Sequence, residues 1–181
     1  MGTQPITETA AHHRATRPST VLLLLSTVLM GLMAGLFFAF DVSVMPGLAE
    51  TDDRTYVTAM QRFNAAIDGN GLFGSAFVLA LLASAAAAAV EFRAGRRTVA
   101  LWAAAAAVAY LVVLLITFTV NIPLNNDLAD AGNADRMTDF SLVDRFESTW
   151  VTTNIIRTLL CTAALACLAR ALLLFGRATA R

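Results

Sequence analysis

The chain alternates long apolar stretches with shorter polar ones, and the spacing of its charged residues marks where each stretch begins. No charged residue lies between Arg17 and Asp41, and the same holds from Gly69 to Val90 and from Thr98 to Asn126. Each interval meets the need for about 20 apolar residues, the number with which a helix rising about 1.5 Å per residue crosses ~30 Å of hydrocarbon. A fourth stretch, Trp150 to Phe175, is interrupted by Arg157 and Arg170, with TLLCTAALACLA as its uncharged middle. It still predicts a span, because an Arg near either end can lay its stem along the helix and keep the guanidinium at the interface. The pattern therefore predicts membrane helices over about 20–45, 69–90, 98–120 and 150–175. They form one domain, 19–176, between a flexible cytoplasmic tail at 1–18 and a second at 177–181. The first span is longer than a signal h-region and no A-x-A-like site follows it, so it reads as an anchor.

The connecting segments carry their own periodicity. In DDRTYVTAMQRFNAAI, residues Tyr56, Met60, Phe63 and Ile67 recur at helical spacing, with Thr51, Asp52 or Asp53 as N-cap. In TDFSLVDRFESTW, residues Leu142, Val143, Phe146 and Trp150 do the same and run on into the fourth span. A span, Pro46, Arg62-Phe63 and a span are followed by a span, Pro123, Arg145-Phe146 and a span. That order is consistent with two related helical hairpins.

Composition narrows the class. Of 181 residues 57% are hydrophobic and 14% charged, against ~45–50% and ~25% in soluble domains. Disorder is excluded over most of the length, and with a formal net charge of zero no basic stripe supports a nucleic-acid partner. All 13 basic residues are Arg, which suggests a high-GC bacterial source. Arg14 and Arg17, then Arg93, Arg96 and Arg97, then Arg170, Arg177 and Arg181 cluster at alternate ends of the spans and mark the cytoplasmic side. With both termini cytoplasmic, eight Arg face Glu8 and Glu91 inside, while five Arg face eleven carboxylates outside. The zero is a sum of opposites. The expected fold is an all-α integral membrane protein of the bacterial cytoplasmic membrane. It has four transmembrane helices in an up-down-up-down bundle, with short amphipathic helices in the two outer segments.

Two packing expectations follow. The runs Ala85–Ala89 and Ala103–Ala107 sit at one inner depth and should pack closely, while Gly31-x-x-x-Gly35 offers a small-residue face, also a route to a homodimer. The outer halves carry Phe37, Phe38, Phe40, Phe73, Phe77, Tyr110, Phe118, Met30, Met33 and Met45. Bulk there predicts helices that splay around an aromatic-lined cavity.

Polar residues converge at that outer end. Trp150, Asn154 and Arg157 share a helix face, and Asn121, Asn125, Asn64, Asp68 and Asp41 lie at a similar level. One reading is structural: Pro123 breaks the third helix, and the Asn side chains satisfy the carbonyls it frees. The other is a ligand site, since Asn both donates and accepts and an Arg fork holds a carboxylate, phenolate or carbonyl.

The segments FFAFDVSVMPGL, MQRFNAAI and TVNIPLNNDLA, followed by W-x-x-x-N-x-x-R, resemble the anthrone oxygenase-like family of small four-helix membrane proteins. The resemblance covers most of residues 30 to 160. Its recurring polar positions correspond to Asn64, Asn121, Pro123, Asn125, Trp150, Asn154 and Arg157. Where many members carry Trp immediately before the Asn and His immediately after it, this chain has Thr153 and Ile155. The resemblance implies oxidation of anthrones to anthraquinones by molecular oxygen, on polycyclic phenols.

The residues restrict how such chemistry could run. His12 and His13 lie in the N-terminal segment, so no haem ligand and no two-His-one-carboxylate iron site forms inside the bundle. Cys161 and Cys167 stand about 240° apart around a helix, in apolar surroundings that keep thiols inert. No P-loop, Gly-rich nucleotide loop or G-x-S-x-G elbow occurs. The expectation is an oxygenase with no cofactor and no metal. Arg157, Asn154 and Asn121 would stabilise an enolate oxyanion, and Trp150 would stack on the polycycle. Asn64, Asn125, Phe38, Phe77 and Phe118 would complete the ligand site, with the base drawn from Asp41, Asp68, Asp144 or Glu147. The alternative is a non-catalytic membrane module that binds a small hydrophobic ligand or a membrane partner. A transporter fits less well, lacking inverted repeats and midplane charges.

Overall fold

Wherever the charged residues leave a long gap, the chain runs as helix. A computed structural model describes the backbone of residues 6–180 and the side chains of residues 17–180; the side chains of His12 and His13 and the ends of both tails lie outside what it describes. The order is α1 (Ile6–Ala39), a π-helical turn (Phe40–Val44), α2 (Met45–Ala49), α3 (Asp53–Asp68), α4 (Gly71–Arg93) and α5 (Arg97–Ile116). A second π-helical turn (Thr117–Asn121), α6 (Ile122–Asp130), a 3₁₀ turn (Ala134–Arg136) and α7 (Ser141–Thr179) complete it. Among the described residues there is no strand, and four helical stretches are long and apolar enough to cross a membrane. The protein is all-α, as the periodicity predicts.

The four long helices close a ring. α1 packs against α4 and α7, and α5 packs against the same two. The buried core between them holds Leu23, Met30, Met33, Phe37, Phe77, Tyr110, Val113 and Leu168. Leu24, Val28, Leu32, Leu82, Leu101, Val108 and Leu159 point outward and are exposed. So broad an apolar exterior would drive association in water, whereas hydrocarbon accepts it, and helices suit that setting because their backbone groups are satisfied internally.

At one end α4 packs against α5; of the two alanine runs Ala87, Ala103, Ala106 and Ala107 are buried, while Ala85, Ala89 and Ala105 turn to the exposed side. Their connection is short because Gly95 adopts φ +78°, the left-handed conformation that costs other residues steric energy. Gly95 N–H donates to the Phe92 carbonyl and Arg96 N–H to that of Glu91, the pairing of a Schellman turn. Fully buried Glu91 accepts from Arg96 Nε and Nη2, and Arg96 Nη2 also donates to Ser19 Oγ at 2.9 Å. The Arg96 guanidinium lies 5.2 Å from the centre of the Phe175 ring. Four helices are thus tied at their ends by one side chain. The glycine pair contributes less than its spacing suggests: a Cβ at Gly31 would only touch Leu165, and at Gly35 it would meet open space.

The other end is built by the connecting segments. Asp52 caps α3, accepting from Thr55 N at 3.1 Å, and Tyr56, Val57 and Met60 turn inward. They join Met45, Leu128, Val143, Phe146 and Trp150 in a second apolar cluster. Gln61 Nε2 fastens α3 to the end of α6 by donating to the carbonyls of Leu128 and Gly132. Pro123 does not break its helix, contrary to the structural reading of the sequence. A π-helical turn precedes it, and this wider turn lets the helix run on through a residue that has no N–H to give. Pro46 follows the first π-helical turn in the same way.

Candidate functional site

The inward stripe of α7 changes character along its length. Val143, Phe146 and Trp150 belong to one apolar cluster and Cys161, Ala164 and Leu168 to the other. Between them stand buried Asn154, Arg157 and Thr158. A cavity of about 330 Å³ opens at this polar interval. Phe37, Phe40, Phe73, Phe77 and Phe118 form its aromatic walls, while Asn64, Asn121, Asn125, Trp150, Asn154 and Arg157 supply its polar side. Exposed Gly71, Gly74, Val78 and Phe118 mark its mouth, between the start of α4 and the second π-helical turn. Cβ atoms at Gly71 and Gly74 would meet nothing within 4 Å, so the mouth is open around both.

Arg157 is 4% exposed, and a buried cation is costly unless compensated. Among the described residues no carboxylate pairs with it directly. Its Nη2 donates to Asn154 Oδ1 at 2.8 Å and its Nη1 to Thr117 Oγ1 at 3.3 Å. The guanidinium carbon lies 4.5 Å from the centre of the Phe37 ring and 5.4 Å from that of Trp150, two favourable cation–π contacts. Asn154 Nδ2 donates to the Phe37 carbonyl at 2.9 Å and to Asp41 Oδ1, and Thr158 Oγ1 donates to Asp41 Oδ2. The negative charge nearest in this network is thus one amide away from the cation.

The partners fix how each amide is turned. Asn154 faces two obligate acceptors with its nitrogen, so its oxygen must face Arg157. Asn125 Oδ1 accepts from the indole N–H of Trp150 at 3.0 Å. Thr153 Oγ1 spends its proton on the carbonyls of Thr149 and Trp150, so it can only accept from Asn121, whose Nδ2 lies 2.9 Å away. Asn121 Oδ1 is left over. Asn64 Nδ2, Asn121 Oδ1 and Arg157 Nε are buried without a hydrogen-bond partner, and all three residues line the cavity. Two donors and one acceptor without a protein partner thus belong to residues of one cavity wall, a set complementary in kind to a group that offers both an acceptor oxygen and a hydroxyl.

Most residues singled out in the sequence meet here. Asn154, Arg157, Asn121, Trp150, Asn64, Asn125, Phe77 and Phe118 all line the cavity. Phe38 does not: its ring is 55% exposed on the apolar exterior, because the next residue on a helix points ~100° away, and Phe37 takes the inward place. The expected carboxylates separate as well. Asp68 lies at the mouth; Asp41 sits behind Asn154, and Asp144 and Glu147 are not among the lining residues. Glu147 lies near Tyr56, whose buried phenol is pushed well above its ordinary range, mainly by burial. Sequence reasoning missed Thr117, Thr158 and Phe37 as partners of the Arg157 network. It also missed Asn70, which caps α4 by accepting from Leu72 N and Phe73 N. An Asn directly before an apolar run was the available signal for that last residue.

The comparisons with known proteins bear on this geometry. A family model described as Anthrone oxygenase matches residues 63–167, from the end of α3 into the middle of α7, a stretch that contains every polar residue of the cavity wall. No curated protein and no solved structure matches the chain.

Proposed function

The chain belongs to the anthrone oxygenase family, and on that premise we propose that it oxidises a hydrophobic polycyclic phenol with molecular oxygen, without a cofactor, in the cavity beside Arg157. The observation that carries this reading is a buried guanidinium, paired with no carboxylate among the described residues, in the wall of an aromatic cavity. Such a site favours an anion with a flat apolar body. An anthrone fits the description, since loss of a ring C–H proton gives an aromatic enolate whose charge rests on oxygen.

The enolate oxygen would accept from Arg157 Nε, with Asn64 Nδ2 within the same wall, and a phenolic hydroxyl beside it would donate to Asn121 Oδ1. Donors aimed in advance at developing charge lower the barrier to proton loss. Asn154 holds the guanidinium, and the rings of Phe37, Phe77 and Trp150 exclude water and hold the polycycle. Asp68, the carboxylate that lines the cavity, is positioned at the mouth to take the proton and pass it to water. The enolate then gives one electron to O₂; the resulting radical and superoxide combine into a peroxide anion, which takes a proton back from water to give the hydroperoxide. Loss of water leaves the new carbonyl, so one oxygen atom ends in the quinone and the other in water. In this reading the polar end faces the outside of a bacterial cytoplasmic membrane, with the Arg-rich turn and both termini inside.

Oxygen uptake with an anthrone, in detergent or membranes against a boiled control, tests the activity; no acceleration removes the oxygenase reading. Given activity, unchanged kinetics in Arg157→Ala and Asn154→Ala would remove the site. A second reading, a non-catalytic membrane module, draws support from the exposure of Asp68, since a solvated carboxylate is a weak base. Saturable binding of a hydroxyanthraquinone without turnover of any anthrone would favour it.

A further inference from the structure

Asp41 has both carboxylate oxygens engaged, one by Asn154 Nδ2 and the other by Thr158 Oγ1. It does not line the cavity, whereas Asn154 and Arg157 do. An Asn amide can turn over at little cost, and an unheld Asn154 could point its nitrogen at the guanidinium, donor against donor. The Phe37 carbonyl, 2.9 Å from Nδ2, and the Asp41 carboxylate both require a donor, and together they exclude that orientation. Once the oxygen faces Arg157 Nη2 at 2.8 Å and Thr117 takes a proton of Nη1, the guanidinium plane is set and Nε is the nitrogen left without a partner. The carboxylate also balances the buried charge from one residue away, without covering the cation as a direct ion pair would.

We propose that Asp41 is a positioning residue, which through Asn154 holds the Arg157 guanidinium so that its Nε–H is free to receive a ligand oxygen. This role rests on the functional reading above only in what the cavity holds. It differs from a role as proton acceptor, because Asp41 does not line the cavity and each of its oxygens already accepts a hydrogen bond from the network behind Arg157. The first π-helical turn, Phe40–Val44, contains Asp41, and such turns recur at functional sites because they re-aim one side chain.

The conservative variant separates geometry from charge and basicity. In Asp41→Asn the side-chain oxygen still accepts from Asn154. Its nitrogen faces Thr158 Oγ1, which can accept while donating to the Asn154 carbonyl, 3.2 Å away. Two readouts apply to the full chain in lipid nanodiscs: the ¹⁵Nε–¹H resonance of Arg157, assigned by its loss in Arg157→Lys, and the affinity of a peri-dihydroxyanthraquinone. Asp41→Ala is expected to move the resonance, speed its exchange with water and weaken the probe about tenfold. Asp41→Asn is expected to keep the wild-type resonance and bind within about threefold. An unchanged Arg157 resonance in Asp41→Ala overturns the proposal. So does an Asp41→Asn protein that binds the probe normally yet loses all turnover of an anthrone, for that is the signature of a base. If Asp41→Ala does not fold, Thr158→Val removes one of the two donors and should shift the resonance in part; no shift overturns the proposal equally. A wild-type protein that neither binds the probe nor consumes oxygen refutes the functional reading, and the resonance still decides the role of Asp41.

Discussion

Replacing Asn121 with Leu asks whether its free oxygen receives a hydroxyl. The side chain is 1% exposed, its nitrogen is bonded to Thr153 at 2.9 Å, and its oxygen is the one acceptor without a partner in the cavity wall. The variant loses one neutral hydrogen bond but also removes an unsatisfied buried acceptor, two effects of about 1 kcal/mol each and of opposite sign. Stability in detergent should therefore change little. Ligand binding should change selectively. A neutral hydrogen bond contributes about 0.5–1.5 kcal/mol net, so a peri-dihydroxyanthraquinone should bind about 2- to 13-fold more weakly to Asn121→Leu. Unsubstituted anthraquinone, which has no hydroxyl to donate, should bind as well to the variant as to the wild type or better. Tryptophan fluorescence quenching gives both affinities, and the two proteins with the two probes close a double-mutant cycle. An equal loss for both probes would refute the reasoning, because it would mean that the substitution only changes the shape of the cavity.

Glu91→Gln, at the far end, should lower stability by about 3–5 kcal/mol, the usual effect of removing one partner of a buried ion pair, while leaving probe binding unchanged; a thermal unfolding series in detergent checks the first and a titration the second. Tyr56→Phe removes a buried hydroxyl that has no partner and should leave Tm unchanged or raise it, by up to about 1 kcal/mol of added stability. Asp52 has its affinity for protons lowered by the Thr55 side chain and then the Thr55 backbone. A carboxylate so depressed stabilises the fold above its unfolded value and loses that contribution as pH falls through its lower folded value, so the first turn of α3 should fray in acid, seen as faster amide exchange at Thr55 and Tyr56.

The four spans, the cap on α3 and the polar face of α7 were legible because each leaves a mark at fixed spacing: long uncharged runs, an Asp before an apolar period, W-x-x-x-N-x-x-R. What failed was rotation about the axis of α1. That helix is apolar on every side, so nothing in its composition distinguishes Phe37, buried against Arg157, from Phe38, turned to the exterior. The role of Asp41 was hidden for another reason. Its partners stand 113 and 117 positions further along, and one sequence carries no sign of such a pairing. The Glu91–Arg96 pair reads in the sequence only as charges on one side of the membrane, since a carboxylate beside three Arg looks solvated until the Schellman turn folds it under Arg96.

The two π-helical turns set the phase of the helices that follow them. Thr117–Asn121 fits five residues into about the rotation that four make in an α-helix, so the extra residue is absorbed in the wide turn. Were the same five residues to tighten into an ordinary turn, α6 would rotate by about 100°, swinging Asn125 off the Trp150 indole. Hydropathy would barely register the change, yet the ring of amides would come apart. For this chain a substitution that disfavours the wide turn, more than one that alters polarity, is where a neutral-looking change would prove harmful.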